Sequence, residues 1–147
     1  MNIADIISKE AVLDNVQATT KRELIQVLSN KIASLSGVDE RVVFEAVWER
    51  ENLGSTGYGD GVAFPHARIE GLKKVSAMFV RLDEPVDFDS LDGKPVDLVF
   101  LLISPENSGA DHLTALATLS RVLKTAGSCE NLRKSRSVEE LYAVLNA

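Results

Sequence analysis

Cysteine and histidine are both scarce in this sequence of 147 residues. The single cysteine, Cys129, excludes a disulfide within the chain and any Cys-x-x-Cys metal or redox motif. Only two histidines, His66 and His112, are present. Any nucleophilic or acid-base chemistry that uses imidazole near neutral pH therefore has to use one or both of these side chains.

Basic residues and long apolar segments are also few. The chain has 16 basic and 22 acidic residues and a net charge of -6, which argues against nucleic acid as a partner. The longest apolar run, Leu98 to Ile103, is far shorter than the ~20 residues that span a bilayer. The first ten residues lack the basic and apolar regions of a signal peptide. We therefore expect a cytoplasmic protein that is not embedded in a membrane.

Hydrophobic periodicity predicts a single layered α/β domain that spans residues 1–147. Amphipathic helices are predicted to begin near Thr20, Asp39, Ser108 and Ser137. Strands are predicted at Val62–Phe64, Val75–Leu82 and Val96–Ile103. Because proline lacks the N–H that a strand ladder needs, Pro65 is expected to end the first of these strands.

A glycine-rich segment with a histidine at its end carries the strongest sign of chemistry. Glycine recurs at positions 54, 57, 59 and 61 between Leu53 and Pro65. Such glycines let backbone N–H groups approach an anion, although a tight turn explains them equally well. The segment lacks the Gly-Lys-Ser/Thr of a nucleotide-binding loop. A rigid proline directly before His66 suits an exposed nucleophile or ligand better than a core side chain.

The order of these residues resembles the signature of enzyme IIA proteins of the fructose/mannitol class, which belong to the bacterial phosphoenolpyruvate-dependent phosphotransferase system. The signature residues are Arg50-Glu51, Leu53-Gly54-Ser55-Thr56-Gly57, Gly59, Gly61 and Pro65-His66. The resemblance covers nearly the whole chain, including Asp87-Phe88-Asp89, Pro95 to Phe100, and His112-Leu113. It implies a three-layer α/β/α sandwich with a mixed central sheet.

The resemblance also implies a role for each site residue. His66 is expected to accept a phosphoryl group on Nε2, and His112 to support that group by a hydrogen bond or by holding one tautomer of His66. Arg50 is expected to neutralise phosphoryl oxygens. The residue types of Ser55 and Thr56 make them candidate hydroxyl donors to the same oxygens, although a tight turn also explains them. Spacing alone, without the resemblance, indicates that His112 is a surface histidine and that Arg50 is a cation that stabilises a helix end.

The predicted protein is a protein-histidine phosphoryl carrier rather than an enzyme that acts on a small molecule. No cofactor or metal is expected, because the two histidines and Cys129 lack the spacing of a zinc site. The implied donor is a small phosphocarrier protein of the HPr type. An apolar ring around the nucleophile is expected to dock it, and its candidate members are Val62, Phe64, Leu113 and Leu116.

Within the family, the nitrogen-related branch is favoured by Gly54 to Gly57, Asp87 to Asp89 and the length of the chain. Members of this branch regulate target proteins such as kinases or transporters rather than supply a sugar transporter. Two alternatives stay open. In the first, the chain is a sugar-specific enzyme IIA that passes the phosphoryl group to a IIB domain. In the second, it is a binding module of the same fold that is never phosphorylated.

Overall fold

The computed structural model describes all 147 residues, which form six α-helices and six strands. In chain order these are α1 (Ile3–Ile6), β1 (Val12–Val16), α2 (Lys21–Ser36), α3 (Glu40–Leu53), β2 (Gly57–Gly59), β3 (Val62–Ala63), β4 (His66–Ile69), β5 (Ser76–Val86), β6 (Val96–Pro105), α4 (Ala110–Lys124), α5 (Ser128–Lys134) and α6 (Val138–Leu145). A single 3₁₀ turn, Lys9–Ala11, joins α1 to β1. None of the helices is long and apolar enough to span a membrane.

The strands form one mixed sheet in the order β1-β5-β6-β3-β2, and β4 also pairs with β6. Strands β5 and β6 are antiparallel, whereas β1 runs parallel to β5, and β3 and β4 run parallel to β6. Helices cover both faces of the sheet. The predicted three-layer α/β/α sandwich with a mixed central sheet is therefore confirmed.

Strand β6 lies at the centre of the hydrophobic core. From Leu98 to Ser104 every residue of this strand is buried, because helices cover both faces of the sheet. Phe100 packs edge-on against Phe79 of β5 with ring centroids 4.9 Å apart. All 39 buried hydrophobic residues belong to one continuous cluster. This rigid centre supports both β4 on one side and the start of α4 at its carboxyl end.

The predicted helix starts are confirmed, with one difference in their caps. The Thr20 hydroxyl accepts a hydrogen bond from the N–H of Glu23 at 3.1 Å, and Ser137 does the same for Glu140 at 3.1 Å. The carboxylate of Glu23 turns back to the N–H of Thr19 rather than that of Thr20. Glu140 likewise accepts from the N–H of Arg136, so that α2 and α6 have capped N-termini without the full reciprocal capping box.

The strand that precedes Pro65 ends there as predicted, since β3 stops at Ala63 and Pro65 belongs to no strand. Strand β4 resumes the ladder immediately after it, so that β3 and β4 lie one after the other along the same edge of β6. Although Pro65 has no N–H to donate, its carbonyl accepts a hydrogen bond from Leu102 at 3.1 Å and keeps the two segments in line. His66 is consequently the first residue of a strand and lies opposite Leu102.

Candidate functional site

A shallow depression at the carboxyl end of β6 brings three of the predicted site residues together. Its volume is about 450 Å³, and α3, β4 and the first turn of α4 form its walls. The residues that line it are Ala46, Glu49, Arg50, Leu53, His66, Ala67, Arg68 and His112. The structure therefore gathers both histidines of the chain and two arginines in one place.

His66 is half-buried and its ring is held by the backbone two residues earlier. Its Nδ1 lies 2.9 Å from the carbonyl oxygen of Phe64. Because a carbonyl oxygen only accepts hydrogen bonds, Nδ1 carries the proton and Nε2 keeps its lone pair. The Phe64 ring contacts the imidazole edge-on and stacks on Phe100, with centroid distances of 6.1 and 6.2 Å. The sequence thus places a nucleophilic nitrogen on a ring whose orientation is fixed by the core.

His112 is the third residue of α4 and is almost completely buried, with 7% of its surface exposed. Its Nδ1 lies 2.6 Å from Oγ of Ser104, which is fully buried at the end of β6 and has no other hydrogen-bond partner. If the ring donated this bond, the buried hydroxyl hydrogen would stay unpaired, at a cost of about 1–3 kcal/mol. Ser104 therefore donates, and the proton of neutral His112 lies on Nε2.

The surroundings of His112 favour its neutral form. Burial lowers the pKa of His112, and the positive charge of Arg68, together with that of His66 when it is protonated, lowers it further. The ring centroids of His66 and His112 are 5.9 Å apart. The two rings are thus complementary, since His66 offers a lone pair at Nε2 whereas neutral His112 offers an Nε2–H donor.

Arg50 and Arg68 add positive charge to the depression. Arg50 donates from Nη1 to the carbonyl of Gly54 at 3.0 Å, close to the end of α3. Arg68 donates from Nη1 to Oγ of Ser108 at 2.9 Å, in the loop that leads into α4. Neither guanidinium forms an ion pair with a carboxylate. Both keep N–H groups with which to bind an anion.

Ser55 and Thr56 do not line the depression. The Ser55 hydroxyl donates to the carbonyl of Phe88 at 2.8 Å and accepts from the N–H of Gly57 at 3.0 Å. The N–H and the hydroxyl of Thr56 both donate to the carboxylate of Glu51. Both hydroxyls therefore donate to groups outside the depression, on Phe88 and Glu51, and the structure does not bring them to the histidines.

The apolar rim of the depression differs from the predicted ring. Val62 and Phe64 are buried in the core, and Leu116 packs against it. Val62 is buried because β3 lies inside the sheet, between β2 and β6. Leu113 is 65% exposed but does not line the depression, whereas Leu53 is 82% exposed and does line it. Leu53 was not predicted as part of this rim, because its position at the end of a helix does not show whether its side chain is exposed.

Cys129 lies in the first turn of α5, where burial raises the pKa of its thiol. No three His, Cys, Asp or Glu side chains lie close enough to hold a metal ion. Cys129 therefore does not combine with the two histidines. Sequence reasoning also missed Ser104 and Ser108. Ser104 contacts His112 across the turn between β6 and α4, and Ser108, within that turn, contacts Arg68 of β4.

Residues 5–147 match the family described as "Phosphoenolpyruvate-dependent sugar phosphotransferase system, EIIA 2". The chain belongs to this family. The EIIA 2 chain is 47% identical over 145 residues to a nitrogen regulatory protein of Bradyrhizobium diazoefficiens. The aligned region covers 99% of this chain and 95% of that protein. It is therefore a homologue of nitrogen regulatory proteins.

Solved structures agree with this assignment. The nitrogen regulatory protein IIA-Ntr of Neisseria meningitidis superimposes with a TM-score of 0.90 at 37% identity, over 97% of this chain and 98% of that one. The mannitol enzyme IIA of Escherichia coli, solved in complex with phosphorylated enzyme IIB, has a TM-score of 0.79 at 24% identity. That match covers 92% of this chain and 94% of the other, and it shows the shared fold.

Proposed function

We propose that this EIIA 2 chain is a cytoplasmic phosphoryl carrier that regulates target proteins in the nitrogen-related phosphotransferase system. His66 accepts a phosphoryl group from the phosphohistidine of an HPr-like carrier protein, which enzyme I charges from phosphoenolpyruvate. The observation that carries the proposal is the hydrogen bond from Nδ1 of His66 to the Phe64 carbonyl. That bond leaves Nε2 as the nucleophile and makes the product a tele-phosphohistidine.

The transfer requires little covalent chemistry from the protein. The lone pair of Nε2 forms a new P–N bond to His66 while the P–N bond in the donor breaks, and that electron pair returns to the donor imidazole. The proton on Nδ1 of His66 stays in place. The phosphorylated ring therefore carries positive charge, which the carbonyl oxygen of Phe64 stabilises. Holding the nucleophile in line and neutralising the phosphoryl charge account for most of the rate.

Three groups in the depression are suited to bind the phosphoryl oxygens. Neutral His112 donates from Nε2–H, and its place in the first turn of α4 adds the favourable end of the helix dipole. Arg50 and Arg68 supply guanidinium N–H groups from two other elements. Ser55 and Thr56, whose hydroxyls are engaged elsewhere, support the shape of the glycine-rich segment in this proposal.

Phosphorylation adds nearly two negative charges to the depression of an acidic protein. We propose that this local change of charge, rather than a rearrangement of the fold, separates the two signalling states. Target proteins such as kinases or transporters then distinguish the states at the surface around His66. A target whose affinity is the same for both states would contradict this proposal.

The identity to a nitrogen regulatory protein supports the regulatory role. A sugar-specific role is the second candidate, since the mannitol enzyme IIA with the same fold was solved with phosphorylated enzyme IIB. Incubating the phosphorylated chain with a IIB domain separates the two. Retention of the phosphoryl group supports the regulatory role, whereas rapid transfer to IIB supports the sugar-specific one.

The phosphoryl carrier itself is tested by incubating the chain with phosphoenolpyruvate, enzyme I and an HPr-like protein. We expect an acid-labile phosphate on the wild-type chain, no phosphate on His66→Ala, and slower labelling of His112→Ala. A wild-type chain that takes up no phosphate overturns the carrier proposal and leaves a binding module of the same fold. Phosphate that persists in His66→Ala overturns the assignment of the nucleophile.

A further inference from the structure

We propose that Glu51 and Thr56 are positioning residues for His66, linked to it by an unbroken series of hydrogen bonds through Phe64. The inference deepens the proposed function, because it concerns the tautomer and orientation of the nucleophile named there. It also gives the buried pair of Lys21 and Glu51 a role, although neither side chain lines the depression.

The series begins with a buried carboxylate. The side chain of Glu51, in the last turn of α3, is 1% exposed, and Nζ of Lys21 lies 3.0 Å from its Oε1. Lys21 is itself only 13% exposed and lies 4.6 Å above the Phe88 ring. A carboxylate without water is tolerated only where an opposite charge and hydrogen-bond donors satisfy it. The position of Glu51 is therefore strongly determined by its partners.

The second step joins Glu51 to the glycine-rich segment. Thr56 donates its N–H to Oε1 of Glu51 at 3.0 Å and its hydroxyl to Oε2. Two donors of one residue thus bind the two oxygens of one carboxylate. This arrangement fixes both the backbone and the side chain of Thr56, which the flanking glycines alone leave free.

The third step reaches the nucleophile. The carbonyl of Thr56 accepts a hydrogen bond from the N–H of Phe64 at 3.0 Å. The carbonyl of Phe64 in turn accepts the Nδ1–H bond of His66 at 2.9 Å. Pro65, whose ring fixes its own φ, lies between Phe64 and His66. Phe64 is therefore held on its N–H side by Thr56 and on its carbonyl side by His66.

This arrangement matters because a neutral imidazole without a partner exchanges its proton between the two ring nitrogens. Only the form with Nδ1 protonated has a lone pair on Nε2. A Phe64 carbonyl that lies out of line no longer selects that form. Loss of the contact between Glu51 and Thr56 should therefore change the tautomer of His66, although neither residue touches it.

The test measures the tautomer of His66 from its ring ¹⁵N chemical shifts in the unphosphorylated chain, together with the rate of phosphorylation. Thr56→Val removes the hydroxyl, keeps the shape of the side chain and leaves the pair of Lys21 and Glu51 intact. Glu51→Gln removes the charge. We expect both variants to raise the fraction of Nε2–H His66 and to slow phosphorylation about tenfold or more. Thr56→Ser should restore both readouts.

Asp14→Asn is the matched control, because it also removes one carboxylate from a partly buried pair. Asp14 lies in β1, at the far edge of the sheet, and is bonded to Arg81 at 2.6 and 2.8 Å. This variant should lose stability but keep the tautomer and the rate of the wild type.

Two results would overturn the proposal. In the first, folded Thr56→Val and Glu51→Gln keep the wild-type tautomer and rate and, like Asp14→Asn, lose only stability. In the second, Thr56→Ser behaves as Thr56→Val. Failure of the proposed function is recognised separately, because the tautomer is measured without any phosphoryl donor. If Glu51→Gln does not fold, Thr56→Val alone decides the outcome.

Discussion

Oγ of Ser104 donates a hydrogen bond to Nδ1 of His112 over 2.6 Å from a fully buried position on β6. The Phe64 carbonyl has the opposite role for His66, because it accepts a hydrogen bond from Nδ1. One ring is therefore held by a donor and the other by an acceptor. As a result, their two Nε2 atoms have different properties, one being a nucleophile and the other a hydrogen-bond donor.

Ser104→Ala should remove the selection of the His112 tautomer. Without the hydroxyl, the proton is expected to divide between Nδ1 and Nε2 of His112, and ¹⁵N chemical shifts of the ring measure this directly. We expect phosphorylation of His66 to slow about fivefold, which corresponds to one neutral hydrogen bond of about 1 kcal/mol. The matched control is Ser29→Ala, since the buried Ser29 hydroxyl has no partner. Equal rates in the two variants would contradict the role of Ser104.

Stability should depend on pH through His112. Its pKa in the folded protein lies below the unfolded-state value of about 6.5, because burial, the charge of Arg68 and that of His66 when protonated disfavour its charged form. Between these two pKa values the unfolded chain binds more protons than the folded chain. The contribution of His112 to stability is therefore fully present above about pH 6.5 and is lost as the pH falls through the folded pKa.

Urea unfolding of the wild type and His112→Gln at about pH 5 and pH 7.5 measures this effect. We expect the wild type to lose more stability than the variant on acidification. Asp14, whose pKa is lowered by its bond to Arg81, loses its contribution only below about pH 4 and does not disturb the comparison. The same loss of stability in both proteins would show that His112 is not the group responsible.

Gly61→Ala should destabilise the chain more than Gly37→Ala. Both glycines have a positive φ, 82° and 72°, so that the backbone strain of an added Cβ is similar at the two positions. At Gly61 the new Cβ also lies 2.6 Å from Nη2 of Arg133 and 2.9 Å from Oδ1 of Asp97, whereas Gly37 faces open space. Displacing this ion pair should cost about 1–3 kcal/mol more in urea unfolding. Equal losses would mean that Arg133 moves aside without cost.

The sequence predicted the parts of the fold that depend on local rules. The caps at Thr20 and Ser137 follow from the short polar side chain and the spacing to a glutamate. The apolar run from Leu98 to Ile103 predicted a strand buried on both faces, and β6 is that strand. The short elements α1, β1 and α5 were not predicted, because four to seven residues give too little periodicity to identify them.

The candidate site was predictable only in part. The family resemblance indicated His66, His112 and Arg50, and the structure places all three in one depression. The bonds that define the two tautomers were not predictable in the same way. Ser104 lies on β6 and His112 on α4, with a turn between them. No pattern of spacing in the sequence predicts such a contact.

The pairing of Thr56 with Glu51 shows the same limit for a hydroxyl within the motif. A threonine hydroxyl can bind phosphate or make a contact within the protein, and only the fold shows which partner Thr56 has.

The exposed side chain of Leu53 should take part in docking the phosphoryl donor. Leu53 is 82% exposed and lines the depression that holds His66, and protein partners commonly bury apolar side chains around such a centre. We expect Leu53→Asp to raise the KM for the phosphorylated carrier protein about tenfold, because a charge must then be buried on docking. The kcat should change little, since no group that touches the phosphoryl site is altered.

Leu91→Asp is the control for this prediction. Leu91 is 99% exposed and lies outside the depression, so that the substitution makes the same chemical change without reaching the site. Both variants should fold, because neither side chain is buried, and Leu53→Asp should lose at most about 1 kcal/mol in urea unfolding, since its charge lies at the C-terminus of α3. Equal effects of the two variants on KM would mean that the added negative charge repels the donor from a distance. A change confined to Leu53→Asp assigns the docking contact to the rim of the depression beside His66.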